Sequence, residues 1–75
     1  MSGLPVMSGL EVIGALARFG FQHRRTKGSH AILVRESPRL AVTVPLHREL
    51  DRGTLRAIIR QSGLSVETFV ASLNR

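Results

Sequence analysis

Between Phe21 and Val44 the chain carries three short runs suited to strands, and the spacers between them leave room only for tight turns. Phe21 to Arg25 is the first run, and Thr26-Lys27-Gly28 reads as the turn after it. Ser29 to Arg35 follows and contains Ala31-Ile32-Leu33-Val34, a continuous apolar run fit for a central strand. Glu36-Ser37-Pro38-Arg39 reads as a second turn, with Pro38 fixing φ. Leu40 to Val44 is a third strand rich in β-branched residues, and Pro45 ends it because it cannot donate to a ladder. Such short connections cannot carry a parallel crossover, so the strands form an antiparallel meander. The central run is apolar on both sides, which leaves open the face of the second strand that is buried.

Helical signals flank the meander. Gly9 to Phe19 is the first helix: Ser8 and Glu11 have the spacing of a capping box, and Met7 with Val12 that of a hydrophobic staple. Val12, Ile13, Leu16 and Phe19 recur at helical spacing, and Gly20 stands where a left-handed stop belongs. Gly9 and Gly14 weaken this helix, each by up to about 1 kcal/mol relative to Ala. After a loop from Leu46 to Leu50, Asp51 can cap a helix over Arg52 to Gln61, with Leu55, Ile58 and Ile59 as its apolar stripe and Gly63 as its stop. Ser65 can cap a final helix in which Val66, Phe69, Val70 and Leu73 repeat at i, i+3, i+4, i+7. The order α-β-β-β-α-α predicts an α+β two-layer sandwich, with helices over one sheet face and the other face left to solvent or a partner.

Composition narrows the function classes. The chain has 75 residues, a formal charge of +6 and no Cys. That length suits one domain over 1–75. Without Cys there are no disulfides, thiolate metal sites or Cys nucleophiles, and nothing asks for an oxidising compartment. No apolar run approaches the roughly 18–20 residues needed to span a bilayer, so no membrane role is expected. Met1 to Met7 lacks the basic start and apolar core of a signal peptide. These features describe a small, basic, cytoplasmic domain.

Its cations fall into two groups. The first lies in the run His23-Arg24-Arg25-Thr26-Lys27-Gly28-Ser29-His30. Arg24, Arg25 and Lys27 offer positive charge, Gly28 allows close backbone approach and the Ser29 hydroxyl can donate to a phosphate oxygen. The same residues also suit a charged hairpin turn that merely stays soluble. His30 opens an otherwise apolar strand on the side of Ile32 and Val34; it is either a packed or edge histidine or a general acid/base. His47 lies past the third strand, whose end returns to the start of the second, so two histidines could flank one phosphate. A capping or exposed loop histidine is the plainer alternative. A metal held by the histidines is a weaker reading, because no Asp, Glu or Cys at suitable spacing completes a shell; no cofactor is expected. The second group is the series Arg48, Arg52, Arg56 and Arg60, spaced by four, of which Arg52, Arg56 and Arg60 fall within the predicted helix. It is a solvated face, a phosphate-binding stripe or a receptor for an acidic partner. There is no Trp or Tyr, and Phe19, Phe21 and Phe69 are needed in the core, so no aromatic platform for stacked bases is expected.

Ser8–Glu11, Gly20-Phe21, Arg25, Gly28-Ser29-His30, Val44-Pro45-Leu46-His47, Gly53-Thr54-Leu55 and the run Ile58 to Leu64 together resemble the HicA toxins of toxin–antitoxin pairs, over about residues 4–73. The resemblance implies a fold like the double-stranded-RNA-binding domain, α-β-β-β-α, here with an additional short C-terminal helix. It implies a type II toxin: an mRNA endoribonuclease whose catalytic histidine is His30, covered in a hetero-oligomer by a HicB-like antitoxin. It gives His47 no clear catalytic role, so a two-histidine scheme goes beyond the resemblance. The chain also lacks the lysine-rich start of the last helix found in ordinary double-stranded-RNA binders.

The reading that joins these observations is a metal-independent ribonuclease. His30 acts on the 2′-OH or the leaving 5′-oxygen, with His47 as a possible second acid/base. Arg24, Arg25, Lys27, Gly28 and Ser29 hold the phosphate, and Arg52, Arg56 and Arg60 add RNA contacts. The rivals are a non-catalytic RNA- or DNA-binding module that uses the same basic face, and a purely protein-binding domain.

Overall fold

The computed structural model describes residues 3–73. Its elements are α1 (Gly9–Ala17), β1 (Gln22–Lys27), β2 (His30–Arg35), β3 (Leu40–Pro45), α2 (Arg52–Gln61) and α3 (Val66–Ser72). Met1, Ser2, Asn74 and Arg75, which belong to the expected 1–75 domain and in part to the leader reading, lie outside the described residues. The architecture is the anticipated α+β sandwich, with an α-β-β-β-α order and a further short helix. Among the described residues no helix is long and apolar enough to cross a membrane.

The sheet runs β1-β2-β3 and is antiparallel throughout. Ala31 pairs with Val44 and Leu33 with Val42; all four are buried and face the helices. The question of the buried face of β2 is thereby answered, and His30, Ile32 and Val34 take the opposite side. The burial of Ala31, Leu33, Val42 and Val44 against Leu16, Leu55, Ile59 and Phe69 makes one continuous core. Each fully buried Val, Leu, Ile or Phe side chain among them contributes about 1.5–3 kcal/mol. The β1 strand contributes none of it, since all six of its residues are exposed.

Two local differences from the sequence reading have clear causes. The α1 helix stops at Ala17, short of Phe19, because the chain enters a Schellman turn. The Gly20 N–H donates to the Ala17 carbonyl at 3.1 Å and the Phe21 N–H to that of Leu16 at 3.3 Å, with Gly20 left-handed at φ 91°. Phe19 is thereby half-buried at the edge of the core rather than on the helix. The first strand runs on to Lys27, and the turn tightens to Gly28-Ser29, because Gly28 takes φ 62° while Ser29 does not turn positive. This is the signature of a type II′ hairpin, whose twist matches that of the strands.

The helix caps follow the sequence. Ser8 and Glu11 exchange capping-box hydrogen bonds at 3.1 and 2.9 Å. Asp51 accepts from the Thr54 N–H at 3.1 Å and Ser65 from the Thr68 N–H at 3.0 Å. Between the helices, the buried Ser62 hydroxyl donates to the Ile59 carbonyl at 2.5 Å. The Arg18 guanidinium reaches the Ser72 carbonyl and ties α1 to α3.

The joint that positions the site is between α1 and the end of β3. The Gly9 N–H donates to the His47 carbonyl at 2.9 Å, and the Leu50 N–H to that of Met7 at 2.8 Å. A Cβ on Gly9 would lie 2.1 Å from the Pro45 carbonyl oxygen and 3.1 Å from the Leu46 Cα. These are backbone atoms and cannot rotate away. Gly14 has nothing within 4 Å of such a carbon. Gly9→Ala is therefore expected to lower stability by about 1–3 kcal/mol despite the better helix propensity of Ala. Gly14→Ala is expected to raise it by about 1 kcal/mol; urea unfolding of the two variants measures both. Asp51 supplies a pH test. The Thr54 hydroxyl and N–H donate to its carboxylate and hold its pKa below the ordinary value. A lowered folded-state pKa means that the stabilisation is complete above the unfolded carboxylate range, at about pH 4 and upward. It fades as pH falls through the lowered value. Asp51→Asn should lose that acid-dependent component, read as a flatter dependence of Tm on pH between about 2 and 5.

Candidate active site

The hairpin of β1 and β2 arranges the first basic group. Residues directly opposite in an antiparallel pair point to the same face, about 4.5–5.5 Å apart at Cβ. Lys27 pairs with His30 and Arg25 with Ile32, so Lys27, Arg25 and His30 share the sheet face that the helices leave open. All three are exposed. The sharing is set at the hairpin turn, where Lys27 pairs with His30 and Arg25 follows two residues along β1; the register shifts only beyond them, between His23 and Arg25, with Arg24 as the extra residue. A bulge re-aims the side chains beyond it. Counted from the turn, the shift brings His23 opposite Leu33 instead of Val34, and so onto the helix side.

The same bulge separates Arg24 from its neighbours. Its guanidinium lies 3.9 Å from the Glu36 carboxylate, which also accepts from Arg39 at 2.6 Å. Glu36 follows β2 and so lies at the opposite end of that strand from His30. The run of cations in the sequence is thus divided, with Lys27 and Arg25 beside His30 and Arg24 turned to an acid. His23, on the other face, places its Nε2 2.8 Å from the Thr26 hydroxyl and 3.1 Å from the Arg25 carbonyl. Among the described residues neither Arg25 nor Lys27 forms an ion pair.

His47 arrives by way of β3. His30 pairs with Pro45, and the Leu46 N–H donates to the Ser29 carbonyl at 2.7 Å, which carries the ladder one step past the strand. The backbone of His47 therefore lies at the same end of the sheet as Gly28, Ser29 and His30. Its imidazole is exposed and lines an open cleft of about 650 Å³ with Ser8, Leu10, Glu11, Leu46 and Arg48. Among the described residues no hydrogen bond joins the two imidazoles. Glu11 is the one acid in that cleft, and no group of three His, Asp or Glu among the described residues is close enough to hold a metal ion.

The second basic group lies in the other layer. Arg52, Arg56 and Arg60 are exposed along α2, opposite the buried Leu55, Ile58 and Ile59, while Arg48 precedes the helix in the loop. The buried side of α2 packs on β3, so the arginine stripe faces away from the sheet surface that carries His30. The two groups are not brought together. Arg56 and Arg60 instead border a groove with Ile59, Gly63, Leu64 and Val66.

The sequence reading did not single out Leu10 or the cleft. Leu10 is 73% exposed, one of two large apolar residues left in solvent among the described residues. The signal was present, since Leu10 stands off the stripe of Val12, Ala15 and Leu16, where a helix packed on a core is normally polar.

These features invite comparison with known proteins. A search of curated proteins finds no match. The family model described as the HicA toxin of bacterial toxin–antitoxin matches residues 9–64. That span runs from the first residue of α1 past the end of α2, and contains the whole sheet and both basic groups. The order of elements, the hairpin with its Gly28-Ser29-His30 turn and the match over most of the chain agree: the chain belongs to the HicA family of toxins of bacterial toxin–antitoxin systems.

Proposed function

We propose that residues 1–75 form a single HicA-like domain acting in the cytoplasm as a metal-independent mRNA endoribonuclease, the toxin of a type II system neutralised by a HicB-like antitoxin. The observation that carries this reading is the pairing of Lys27 with His30 on an open sheet face, with Arg25 one pair further along. An exposed imidazole flanked by cations free of ion pairs among the described residues is what cleavage of a phosphodiester needs.

The chemistry runs as an internal transfer. An imidazole takes the ribose 2′-OH proton, the 2′-oxygen bonds to phosphorus, and the bond from phosphorus to the 5′-oxygen breaks. A proton passes to that leaving oxygen. The products are a 2′,3′-cyclic phosphate and a 5′-hydroxyl. His30 carries one of the two proton steps, and His47, at the same end of the sheet, is the candidate for the other. Lys27 and Arg25 neutralise the charge that grows on the phosphate oxygens. Gly28 and Ser29 form the tight turn beside it, where the Ser29 hydroxyl can donate. Arg24, turned towards Glu36, stands at the margin of this arrangement. Arg52, Arg56 and Arg60 attract the RNA backbone from the other layer, a long-range contribution that salt screens.

An antitoxin that covers the open face would hide His30 and neutralise Lys27 and Arg25 together. The basic charge of the toxin suits an acidic covering surface.

Induced expression of wild type beside His30→Ala tests the reading. His30→Ala should relieve growth arrest and lower the rate of RNA cleavage by about 10²–10⁴-fold. The wild type should yield cyclic-phosphate ends in EDTA. Equal arrest and equal cleavage by the two proteins would remove His30 as the catalyst. RNA binding that persists without any cleavage by the wild type would instead favour a non-catalytic RNA- or DNA-binding module.

The division of the cations gives a separate outcome. Arg25→Ala and Lys27→Ala should each reduce the slope of log affinity against log salt by about one. Arg24→Ala should change it less, because its charge is already partly met by Glu36. A titration of RNA binding across salt concentrations measures all three; the largest loss falling on Arg24 would contradict the assignment.

A further inference from the structure

The cleft at the N-terminus of α1 is a second feature beside His30, and the nuclease reading leaves most of it unused. We propose that it is a subsite for one unpaired nucleobase of the RNA strand, held by Leu10 and Arg48 and read by Glu11; the proposal rests on the reading that the His30 face binds RNA.

Its place comes from the backbone. The cleft is lined by Leu46, whose N–H bonds to Ser29, and by His47, two residues past the partner of His30. It therefore opens at the end of the sheet where a phosphate would meet His30. Its volume, about 650 Å³, lies in the usual range for small-ligand sites of about 300–1,000 Å³.

Its chemistry suits a base. Leu10 and the half-buried Leu46 provide apolar walls. The imidazole of His47 and the guanidinium of Arg48 provide flat groups on which a base can stack. In this chain that matters, because there is no Trp or Tyr and Phe21 and Phe69 are buried in the core. The hydrogen-bonding edge is Glu11. One carboxylate oxygen, Oε1, accepts the Ser8 N–H at 2.9 Å. The other faces no donor among the described residues and can accept from an exocyclic amine. The subsite should thus prefer adenine, cytosine or guanine to uracil, which has no amino group. An acidic segment of a protein partner fits less well, since it would meet the negative charge of Glu11.

Glu11→Gln is an informative change because glutamine keeps the capping box. With its carbonyl on the Ser8 N–H, the amide nitrogen becomes a donor that suits the O4 of uracil. The test is fluorescence anisotropy with single-stranded oligonucleotides of A, C or U, using the full chain with His30→Ala so that binding is read without cleavage. The adenine and cytosine strands should bind about tenfold more tightly than the uracil strand. Leu10→Ser should remove about tenfold in affinity with no change in salt slope, because an apolar contact releases no counterions. Glu11→Gln should shift the preference towards uracil.

Equal affinity for all strands with no effect of Leu10→Ser overturns the subsite. So does a Leu10→Ser protein that binds RNA normally but no longer binds the antitoxin, which would assign the cleft to the protein partner. The outcome separates this inference from the nuclease reading. A wild type that binds with this base preference but never cleaves removes the nuclease and keeps the subsite. A wild type that cleaves without regard to base or Leu10 does the reverse.

Discussion

The first helix can touch the end of the third strand only because Gly9 has no side chain. The backbone of α1 comes so near to the Pro45 carbonyl that an added carbon would overlap it. In exchange, the Gly9 N–H finds the His47 carbonyl, and a helix N-terminus that would otherwise need water is satisfied within the fold. Three chain segments distant in sequence are joined there: the entry to α1, the β1–β2 turn and the loop after β3. The bond from the Leu46 N–H to the Ser29 carbonyl completes the junction. His30, His47 and the cleft all border it, so the geometry of the candidate site and the packing of α1 are one constraint.

The sheet is built unevenly around this junction. On the helix side, β2 and β3 give Ala31, Leu33, Val42 and Val44 to the core. The β1 strand gives nothing, and all of its side chains meet solvent. An edge strand of this kind would invite pairing with other chains, but its cations and its bulge discourage that. The bulge has a second consequence, since it leaves Arg24 without a partner residue on β2, and the Arg24 guanidinium lies 3.9 Å from the Glu36 carboxylate. One inserted residue thus both protects the edge and sets Arg24 apart from Arg25 and Lys27.

Much of the fold was legible in the sequence because the relevant forces are local. Ser8, Asp51 and Ser65 cap helices by bonding to N–H groups three residues on, and that spacing is visible in one dimension. Gly20 and Gly63 adopt left-handed conformations where they end helices. The turn after β1 was harder to place. Thr26-Lys27-Gly28 and Gly28-Ser29 are both plausible from residue types, and only cross-strand pairing with Thr26 and Lys27 favours the tighter form. The end of α1 was misplaced for a similar reason. Phe19 fits the helical period, yet the Schellman bonds draw it into the turn.

What the sequence determined alone was the order of elements, the caps, the antiparallel meander and the presence of two basic groups, because each rests on neighbours in the chain. What only the tertiary structure decided was which groups share a surface. It placed Lys27 and Arg25 beside His30, turned Arg24 away, put Arg52, Arg56 and Arg60 on the opposite layer, and left Leu10 in a cleft with His47 and Arg48. The physical reason is that a strand's register and a helix's packing face are set by partners far off in sequence. A single residue of shift in the register moves a side chain from one face of the sheet to the other.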